Sequence, residues 1–297
     1  MFCKNCGIKI DHTQKFCTNC GNELSFLTNT QSERSTPNFT KPKFKSSWNT
    51  GRIIAIVVVI GFIVWVASSP SDDTTVEKNN NAITAFDLGN SEQAISQFQE
   101  ASQQAVSNEN KIGTLKNLGY AYFAEGKTDE SIAAFKQALD LASIDSFDYY
   151  LIAGEIAMLE QKPNAALISY NKAYAKNQSD FQINNALALF YMDIENVAPE
   201  YTDYTKALKH AQVAVANTDL QIVKQNLGMA YNLNEMYPQA ISILSSLTID
   251  KDTYTAYWLG LSYAGNNDPV NAKIYLRKAI ANGVEVPQEV HDYLAEN

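Results

Sequence analysis

The sequence predicts an all-α protein of successive antiparallel helix pairs. A small module that contains four cysteines and one transmembrane helix are predicted to precede these pairs. Three observations lead to this prediction. Small and aromatic residues recur at intervals of about 34 residues from Thr75 onward. Four cysteines lie within the first twenty residues, and an uncharged apolar run occupies residues 53–67. With 45% apolar residues, the chain of 297 residues can bury a core.

Charge is distributed unevenly along the chain. Residues 1–70 carry eight Lys and Arg against three Asp and Glu, whereas residues 71–297 carry fifteen against twenty-nine. Because nucleic-acid binding requires Lys and Arg to neutralise phosphates, the acidic part is not expected to bind nucleic acid. It is expected to prefer neutral or basic partners.

The cysteines form two C-x-x-C-G motifs, with ten residues between Cys6 and Cys17. Each tight turn presents two thiolates, and the glycine that follows can adopt the positive φ that the turn requires. The motifs resemble the short zinc ribbons of bacterial proteins, and we predict a ribbon over residues 1–24 with one structural Zn²⁺. Its predicted ligands are Cys3, Cys6, Cys17 and Cys20. Redox-active pairs, two disulfides or a ligand role for His12 are the alternatives.

Two segments separate this ribbon from the repeats. Residues 25–50 are rich in Ser, Thr, Asn and Pro and lack apolar periodicity, which predicts a flexible linker. Residues 51–69 are predicted to form a transmembrane helix, because residues 53–67 are uncharged and Trp48 and Trp65 lie near the two ends of the segment. A buried strand or a cleaved signal peptide is the alternative.

Flanking charges predict the orientation of this segment. Lys41, Lys43, Lys45 and Arg52 precede the uncharged run of residues 53–67, and only Lys78 follows it closely. The positive-inside rule then places the N-terminus in the cytoplasm and the repeats on the periplasmic or extracellular side. The expected localisation is that of a membrane-embedded, single-pass protein of the inner or cytoplasmic membrane.

Residues 70–284 contain six repeated units. The clearest unit has small and aromatic residues at the spacing of a helix pair: Leu118, Gly119, Tyr122, Ser131, Phe135 and Ala138. Similar sets surround Gly154, Gly228 and Gly260. This pattern resembles the tetratricopeptide repeat family over about 210 residues.

Two units depart from the pattern. The first has Ala82 in place of the glycine, and the unit beginning near Phe181 has an insertion around residues 196–204. Because one helix pair cannot bury its apolar face alone, neighbouring units are expected to stack. Residues 285–297 are expected to form a capping helix that closes the end of the stack.

The resemblance implies that the first helix of each pair lines a concave groove that binds a protein or peptide. Carried over by position, the groove residues are Lys116, Tyr120, Phe123, Leu151, Glu155, Met158, Asn185, Leu189, Met192, Gln225, Met229, Asn232, Tyr254, Tyr257 and Leu261. The alternative for each of these residues is packing against an adjacent repeat.

The sequence contains no nucleotide-binding glycine-rich loop, H-E-x-x-H or G-x-S-x-G motif, so we do not expect an enzyme. The leading hypothesis is a membrane-anchored scaffold, or an assembly or chaperone-like factor, that binds polypeptides. The alternative is a signalling or recruitment protein whose cytoplasmic zinc ribbon binds a protein or nucleic acid.

Overall fold

The computed structural model describes residues 73–87, 90–194, 196–247 and 253–295. Within these ranges the regular secondary structure is thirteen α-helices and one 3-10 turn, without a strand. The prediction of an all-α fold is therefore confirmed for the described part of the chain. The predicted zinc ribbon, linker and transmembrane helix lie outside it.

The helices follow one another as pairs joined by short turns. In chain order they are α1 (Asp73–Asp87), α2 (Ser91–Gln104), α3 (Asn108–Ala124), α4 (Thr128–Leu141), α5 (Phe147–Leu159), α6 (Pro163–Lys176), α7 (Phe181–Met192), α8 (Tyr204–Ala216), α9 (Gln221–Leu233), α10 (Tyr237–Leu244), α11 (Thr253–Gly265), α12 (Pro269–Ala281) and α13 (Gln288–Ala295). The 3-10 turn is Pro199–Tyr201, between α7 and α8.

Side chains at the helix N-termini explain where several helices begin. Ser107, Ser146 and Asp180 accept hydrogen bonds from backbone N–H groups in the first turns of α3, α5 and α7. These caps satisfy donors that have no partner within the helix. Pro163 and Pro269 begin α6 and α12, where the missing proline N–H costs nothing.

The turns inside four of the pairs share one geometry. Gly126, Gln161, Glu235 and Asn267 have φ values of 72°, 55°, 61° and 59°, and each lies between the two helices of its pair. The residue that follows donates its N–H to a carbonyl five residues earlier, for example at 2.8 Å from Lys162 to Ala157. This left-handed ending satisfies the last carbonyls of the first helix and reverses the chain.

Small residues bring the two helices of a pair together. A Cβ placed on Gly119 would lie 2.9 Å from the ring of Phe135, and one on Gly228 would lie 2.5 Å from Leu244. Alanines of the second helices, such as Ala138 and Ala240, are fully buried at these contacts. In the four pairs whose first helix has a glycine at this position, a large side chain of the second helix therefore lies against the small residue of the first.

The core continues from pair to pair. Among the described residues, one cluster of buried apolar side chains extends from Ala82 to Ala198, and a second from Ala188 to Tyr293. Helix α7 contributes to both clusters, through Leu187 to the first and Met192 to the second. Stacking of neighbouring pairs therefore buries apolar side chains that a single pair would leave exposed.

The turn between α7 and α8 is longer than the others. Asp193 ends α7 with φ 40°, and its Oδ1 accepts the N–H groups of Val197 at 2.8 Å and Ala198 at 2.9 Å. The ring of Tyr201 lies 5.6 Å from that of Phe190, and its hydroxyl contacts Asn164 on α6. The additional residues of this turn therefore pack against α7 and against α6 of the preceding pair.

The predicted membrane localisation is wrong. Across the described ranges, no helix has the length and apolar character that crossing a bilayer demands. The longest, α3, has 17 residues and includes Lys111, Lys116 and Glu109, whereas a span needs about 20 mostly apolar residues. This finding contradicts a single-pass protein with a cytoplasmic N-terminus and periplasmic or extracellular repeats. The segment predicted to span, residues 51–69, lies outside the described part.

Candidate binding surface on the first helices

The predicted groove residues lie on the first helices α3, α5, α7, α9 and α11. Twelve of the fifteen are buried, and Met158, Leu189 and Tyr254 are partly exposed. The buried residues are Lys116, Tyr120, Phe123, Leu151, Glu155, Asn185, Met192, Gln225, Met229, Asn232, Tyr257 and Leu261. Such burial is expected for side chains that pack between neighbouring repeats, more than for side chains that line a fully open groove.

One register position recurs on all six first helices. It lies three residues before the small residue of each helix, which is Ala82, Gly119, Gly154, Ala188, Gly228 or Gly260. We call these residues the first-helix row, and they are Asn79, Lys116, Leu151, Asn185, Gln225 and Tyr257. All six are at most 5% exposed, yet only Leu151 lacks a polar group. The row is therefore polar and buried.

Two asparagine bridges link successive first helices. Asn117 Nδ2 donates to Asn79 Oδ1 at 2.9 Å, and Asn226 Nδ2 donates to Asn185 Oδ1 at 2.8 Å. In both bridges the acceptor belongs to the first-helix row, and the donor directly follows a row residue on the next first helix. The same contact thus occurs between α1 and α3 and between α7 and α9.

A buried lysine joins three first helices. Lys116 on α3 is 3% exposed, and its Nζ donates to Asp148 Oδ1 on α5 at 2.6 Å and to Gln182 Oε1 on α7 at 3.3 Å. A buried cation is tolerated only when it is paired and hydrogen-bonded. Asp148 and Gln182 supply these contacts from two neighbouring repeats.

A buried carboxyl group lies beside this lysine. Burial raises the pKa of Glu155 to about 7, against the opposing effects of hydrogen bonds from Tyr170 and Tyr120 and of the Lys116 charge. Tyr120 belongs to the preceding repeat, whereas Tyr170 lies on the second helix of the same pair. The Glu155 carboxyl group is therefore close to half protonated at neutral pH, although it lies inside the protein.

Several buried polar atoms have no hydrogen-bond partner in the part of the chain that the structure describes. They include both amide atoms of Gln225, Asn79 Nδ2, Asn117 Oδ1 and the hydroxyl of Tyr257. Such groups are uncommon in folded proteins because losing water without gaining a partner costs free energy. Three of these four residues belong to the first-helix row.

Asn79, Asn117 and Asn226 are not among the predicted groove residues, which begin in the second unit. The signal was nevertheless present, since Asn79 lies three residues before Ala82, as Lys116 does before Gly119.

The four cysteines predicted to bind zinc lie outside the described residues. Over residues 73–295, apart from the gaps noted above, no group of three or more His, Cys, Asp and Glu side chains is placed to hold a metal ion. His210 on α8 instead has a packing role. Its ring lies 5.4 Å from that of Tyr174, and its Nδ1 lies 2.9 Å from Asn184 Oδ1.

Comparison with known proteins supports two of the sequence predictions. A family model described as tetratricopeptide repeat matches residues 75–143, and one described as zinc-ribbon domain matches residues 2–24. Curated proteins gave no match. The solved structure of the Cut9–Hcn1 hetero-tetramer of the APC/C is similar, with a TM-score of 0.52 and 22% identity. The helix pairs have the tetratricopeptide fold.

The match to the Cut9–Hcn1 tetratricopeptide structure covers 74% of this chain but only 42% of that one. PilF from Pseudomonas aeruginosa matches with a TM-score of 0.47 and 18% identity, over 63% of this chain and 89% of its own. A tetratricopeptide protein from Parabacteroides merdae matches with a TM-score of 0.41 and 15% identity, over 74% and 84% of the two chains. At these identities the likeness to Cut9–Hcn1 shows the fold alone.

Proposed function

We propose that the helix-pair array is a protein-binding scaffold that holds a polypeptide partner along its first helices. Tetratricopeptide arrays generally use such surfaces for protein–protein interaction and not for catalysis. The observation that carries the proposal is the first-helix row, which places buried polar groups at one register position on five of the six first helices. An assembly or chaperone-like role is the form of this function that we favour.

The partly exposed members of the proposed groove are the expected points of first contact. Met158, Leu189 and Tyr254 lie on α5, α7 and α11 and keep part of their surface in solvent. Flexible Met and amphipathic Tyr side chains suit adaptable recognition of a peptide. The remaining groove residues, which are buried, are proposed to support these contacts or to meet the partner after rearrangement.

Charge favours neutral or basic partners. Residues 71–297 carry fifteen Lys and Arg against twenty-nine Asp and Glu. Acidic side chains near the row include Asp148, which is 43% exposed. An acidic partner would be repelled during its approach, whereas a basic one would be attracted, and this steering weakens as salt screens it.

Substitution of the exposed contacts tests the scaffold proposal. Peptides are first selected with the full chain from a random library displayed on phage, and their affinities are measured by fluorescence anisotropy. Met158→Asp with Leu189→Asp is expected to lower affinity by about tenfold or more, because a charge replaces apolar contact. Ile168→Asp on the second helix α6, where Ile168 is 60% exposed, is the matched control.

Thermal unfolding of each variant separates binding from folding. If Ile168→Asp abolishes binding and the double variant does not, the second helices form the binding surface. If the double variant unfolds near room temperature, Met158 and Leu189 belong to the core. If the library gives no binder at all, the array does not function by binding peptides.

The N-terminal residues are proposed to bind one structural Zn²⁺ through Cys3, Cys6, Cys17 and Cys20. The zinc-ribbon family model covers residues 2–24 and so includes all four cysteines. Four thiolates at this spacing complete a closed tetrahedral site. Metal analysis of the full chain should give one zinc per chain, and less for Cys17→Ser. An undiminished zinc content in this variant would remove the proposal.

The second candidate function is partner recruitment by this ribbon. Lys4, Lys9 and Lys15 give the matched segment positive charge, which is compatible with a protein or nucleic-acid partner. Partner capture by the full chain and by Cys17→Ser distinguishes the two candidates, since a scaffold that acts through its repeats should retain its partner when the ribbon is disrupted.

A further inference from the structure

We propose that the array associates head to tail with a second copy of the same chain, through oppositely charged faces on its second helices. The second helices of the pairs are α2, α4, α6, α8, α10 and α12. This contact uses different helices from the first-helix row, and it goes beyond the proposed binding of a polypeptide partner.

Charge is divided sharply between the second helices. The first two, α2 and α4, carry five Asp and Glu against one Lys, whereas the other four carry seven Lys and Arg and no Asp or Glu. The acidic face consists of Glu92, Glu100, Asp129, Glu130 and Asp140. The basic face lies on α6, α8 and α12 and consists of Lys172, Lys176, Lys206, Lys209, Lys273, Arg277 and Lys278. The later second helices are therefore basic within an array that is acidic as a whole.

The acidic face keeps most of its charge. Its five residues are all exposed, and α2 and α4 both pack against α3. Glu100 pairs with Lys78 at 2.8 Å, but no salt bridge among the described residues involves the other four carboxylates. The single lysine of these two helices, Lys136, pairs with Glu160 on the next helix pair. Most of the negative charge is therefore not neutralised within the chain.

The basic face is neutralised only in part. Asp145 and Asp203, which lie in turns, each pair with one lysine of the face, at 2.9 Å and 3.2 Å. Lys172 and Lys209 are exposed and form no salt bridge over the described ranges. The Nζ of Lys172 lies 4.9 Å from the centre of the Tyr150 ring, a contact that leaves its charge in place. Both charges can therefore gain a carboxylate partner on another molecule.

Aromatic packing joins two of the basic helices. The ring of Tyr174 on α6 lies 5.4 Å from that of His210 on α8. Four lysines of the basic face lie on these two helices. Burial, together with the charges of Lys209 and Lys206, lowers the pKa of His210 below its usual value. At neutral pH the cations of this part of the face are therefore lysines and not the histidine.

Exposed apolar side chains accompany both faces. Among the described residues, five large apolar side chains are at least 54% exposed, and they are Val106, Ile144, Ile168, Val270 and Ile274. The first two lie in the turns that follow the acidic helices α2 and α4, and the other three lie on the basic helices α6 and α12. Surface ion pairs are each worth only about 0–1 kcal/mol, so a stable contact also requires burial of apolar surface. Both faces supply such surface.

A second copy provides both halves of this complementary contact. The acidic helices belong to the first two pairs and the basic helices to the third, fourth and sixth. No salt bridge among the described residues joins the two faces within one chain. The acidic face of one copy then meets the basic face of the next, and because the two surfaces differ, association continues into a ring or an open chain.

The excess of acidic residues does not prevent this contact. At physiological salt the Debye length is about 8 Å, so repulsion between distant acidic parts of two copies is screened. Opposite charges that meet across the contact are closer than this distance and still attract each other. The association is expected to be of micromolar affinity, because the exposed apolar surface is limited.

Sedimentation of the full chain over a range of concentrations tests the association. The native chain should sediment faster as its concentration rises, and about 1 M salt should weaken the association relative to about 0.15 M because it screens the charges. A native chain that stays monomeric up to about 100 μM overturns the inference.

Two charge-reversal variants test which faces meet. Lys172→Glu with Lys209→Glu alters the basic face, and Glu130→Lys with Asp140→Lys alters the acidic face. Each variant alone should associate about tenfold or more weakly, because like charges then meet across the contact. In an equal mixture, the unaltered basic face of one variant meets the unaltered acidic face of the other, so association should return. A mixture that associates no better than its components contradicts the head-to-tail contact.

The matched control reverses two lysines of first helices. Lys111→Glu with Lys224→Glu changes the net charge as much as the basic-face variant does, and both positions lie near helix N-termini, where an acidic side chain is tolerated. Its association should equal that of the native chain. A loss as large as that of the basic-face variant would show that net charge, and not the basic face, controls association, and would overturn the inference.

Apolar contact provides a measurement that does not change charge. Val270→Ser with Ile274→Ser should weaken association by about tenfold at both salt concentrations, since apolar burial is lost and no charge is altered. If a charge-reversal variant fails to fold, this variant decides, and unchanged association then overturns the inference. Binding of polyglutamate to a native chain that remains monomeric would assign the basic face to an acidic partner and would also overturn it.

Discussion

The Nζ of Lys116 lies 2.6 Å from Oδ1 of Asp148, and this pair joins the first helices of two successive repeats. The two partners differ in environment, because the lysine side chain is 3% exposed and the aspartate 43%. The lysine therefore bears most of the desolvation cost, while the aspartate supplies charge from a position that water still reaches.

Removing the aspartate should destabilise the array more than replacing the lysine. Asp148→Ala leaves the buried Lys116 cation without the carboxylate that lies 2.6 Å from it, and we expect a loss of about 1–3 kcal/mol. Lys116→Met removes the charge and keeps the volume, so its effect should stay within about 1 kcal/mol. Urea unfolding measures the change in the free energy of unfolding for both variants. The opposite order would show that the ion pair itself holds the two repeats together.

Gly119 provides a test of helix-pair packing. Gly119→Ala places a methyl group 2.9 Å from the Phe135 ring, so the helices must separate, and a loss of about 1–3 kcal/mol is expected. Lys127→Ala in the exposed turn should change stability by no more than about 0.5 kcal/mol. Comparable melting temperatures for the two variants would contradict the close contact between α3 and α4.

Local spacing made this contact predictable from sequence. Gly119 precedes Phe135 by sixteen residues, and the same interval separates Gly228 from Leu244 and Gly260 from Leu276. A small residue and a large one at this interval meet when two helices fold back on each other through a short turn. The helix pairs could therefore be predicted without knowledge of how successive pairs stack.

The environment of the candidate site was less predictable. The register placed Glu155 on the first-helix face, but its carboxyl group is buried and hydrogen-bonded to Tyr120 from one repeat and to Tyr170 from a second helix. The orphaned amide of Gln225 likewise depends on what surrounds it in three dimensions. Such properties arise between repeats, so a pattern that describes one repeat at a time does not reveal them.

Stability should depend on pH through Glu155. Burial raises its pKa from 4.5 to about 7, so the folded protein binds this proton more tightly than the unfolded chain. The stabilisation is fully present below about pH 4.5 and is lost as pH rises through 7. Glu155→Gln should therefore gain stability relative to the native protein between pH 5 and pH 8, by up to about 3 kcal/mol.

Urea unfolding at several pH values measures this difference, with Glu130→Gln on the exposed start of α4 as the control. The native protein and the control should lose stability together as pH rises. A difference between Glu155→Gln and the native protein that does not change with pH would place the carboxyl group in solvent.

The last prediction concerns Asp193, which ends α7 and organises the long turn before α8. Asp193→Ala removes the acceptor for the N–H groups of Val197 and Ala198 and keeps a side chain at φ 40°, so we expect a loss of about 1–3 kcal/mol. Asp193→Asn tolerates this φ and retains an acceptor oxygen, so most of the stability should remain. Hydrogen exchange locates the effect, because the amides of Val197 and Ala198 should lose protection in the alanine variant while those of α3 do not. Equal loss of protection in both places would mean that the turn and the α3 pair unfold as one unit, and that Asp193 stabilises the whole array and not this turn alone.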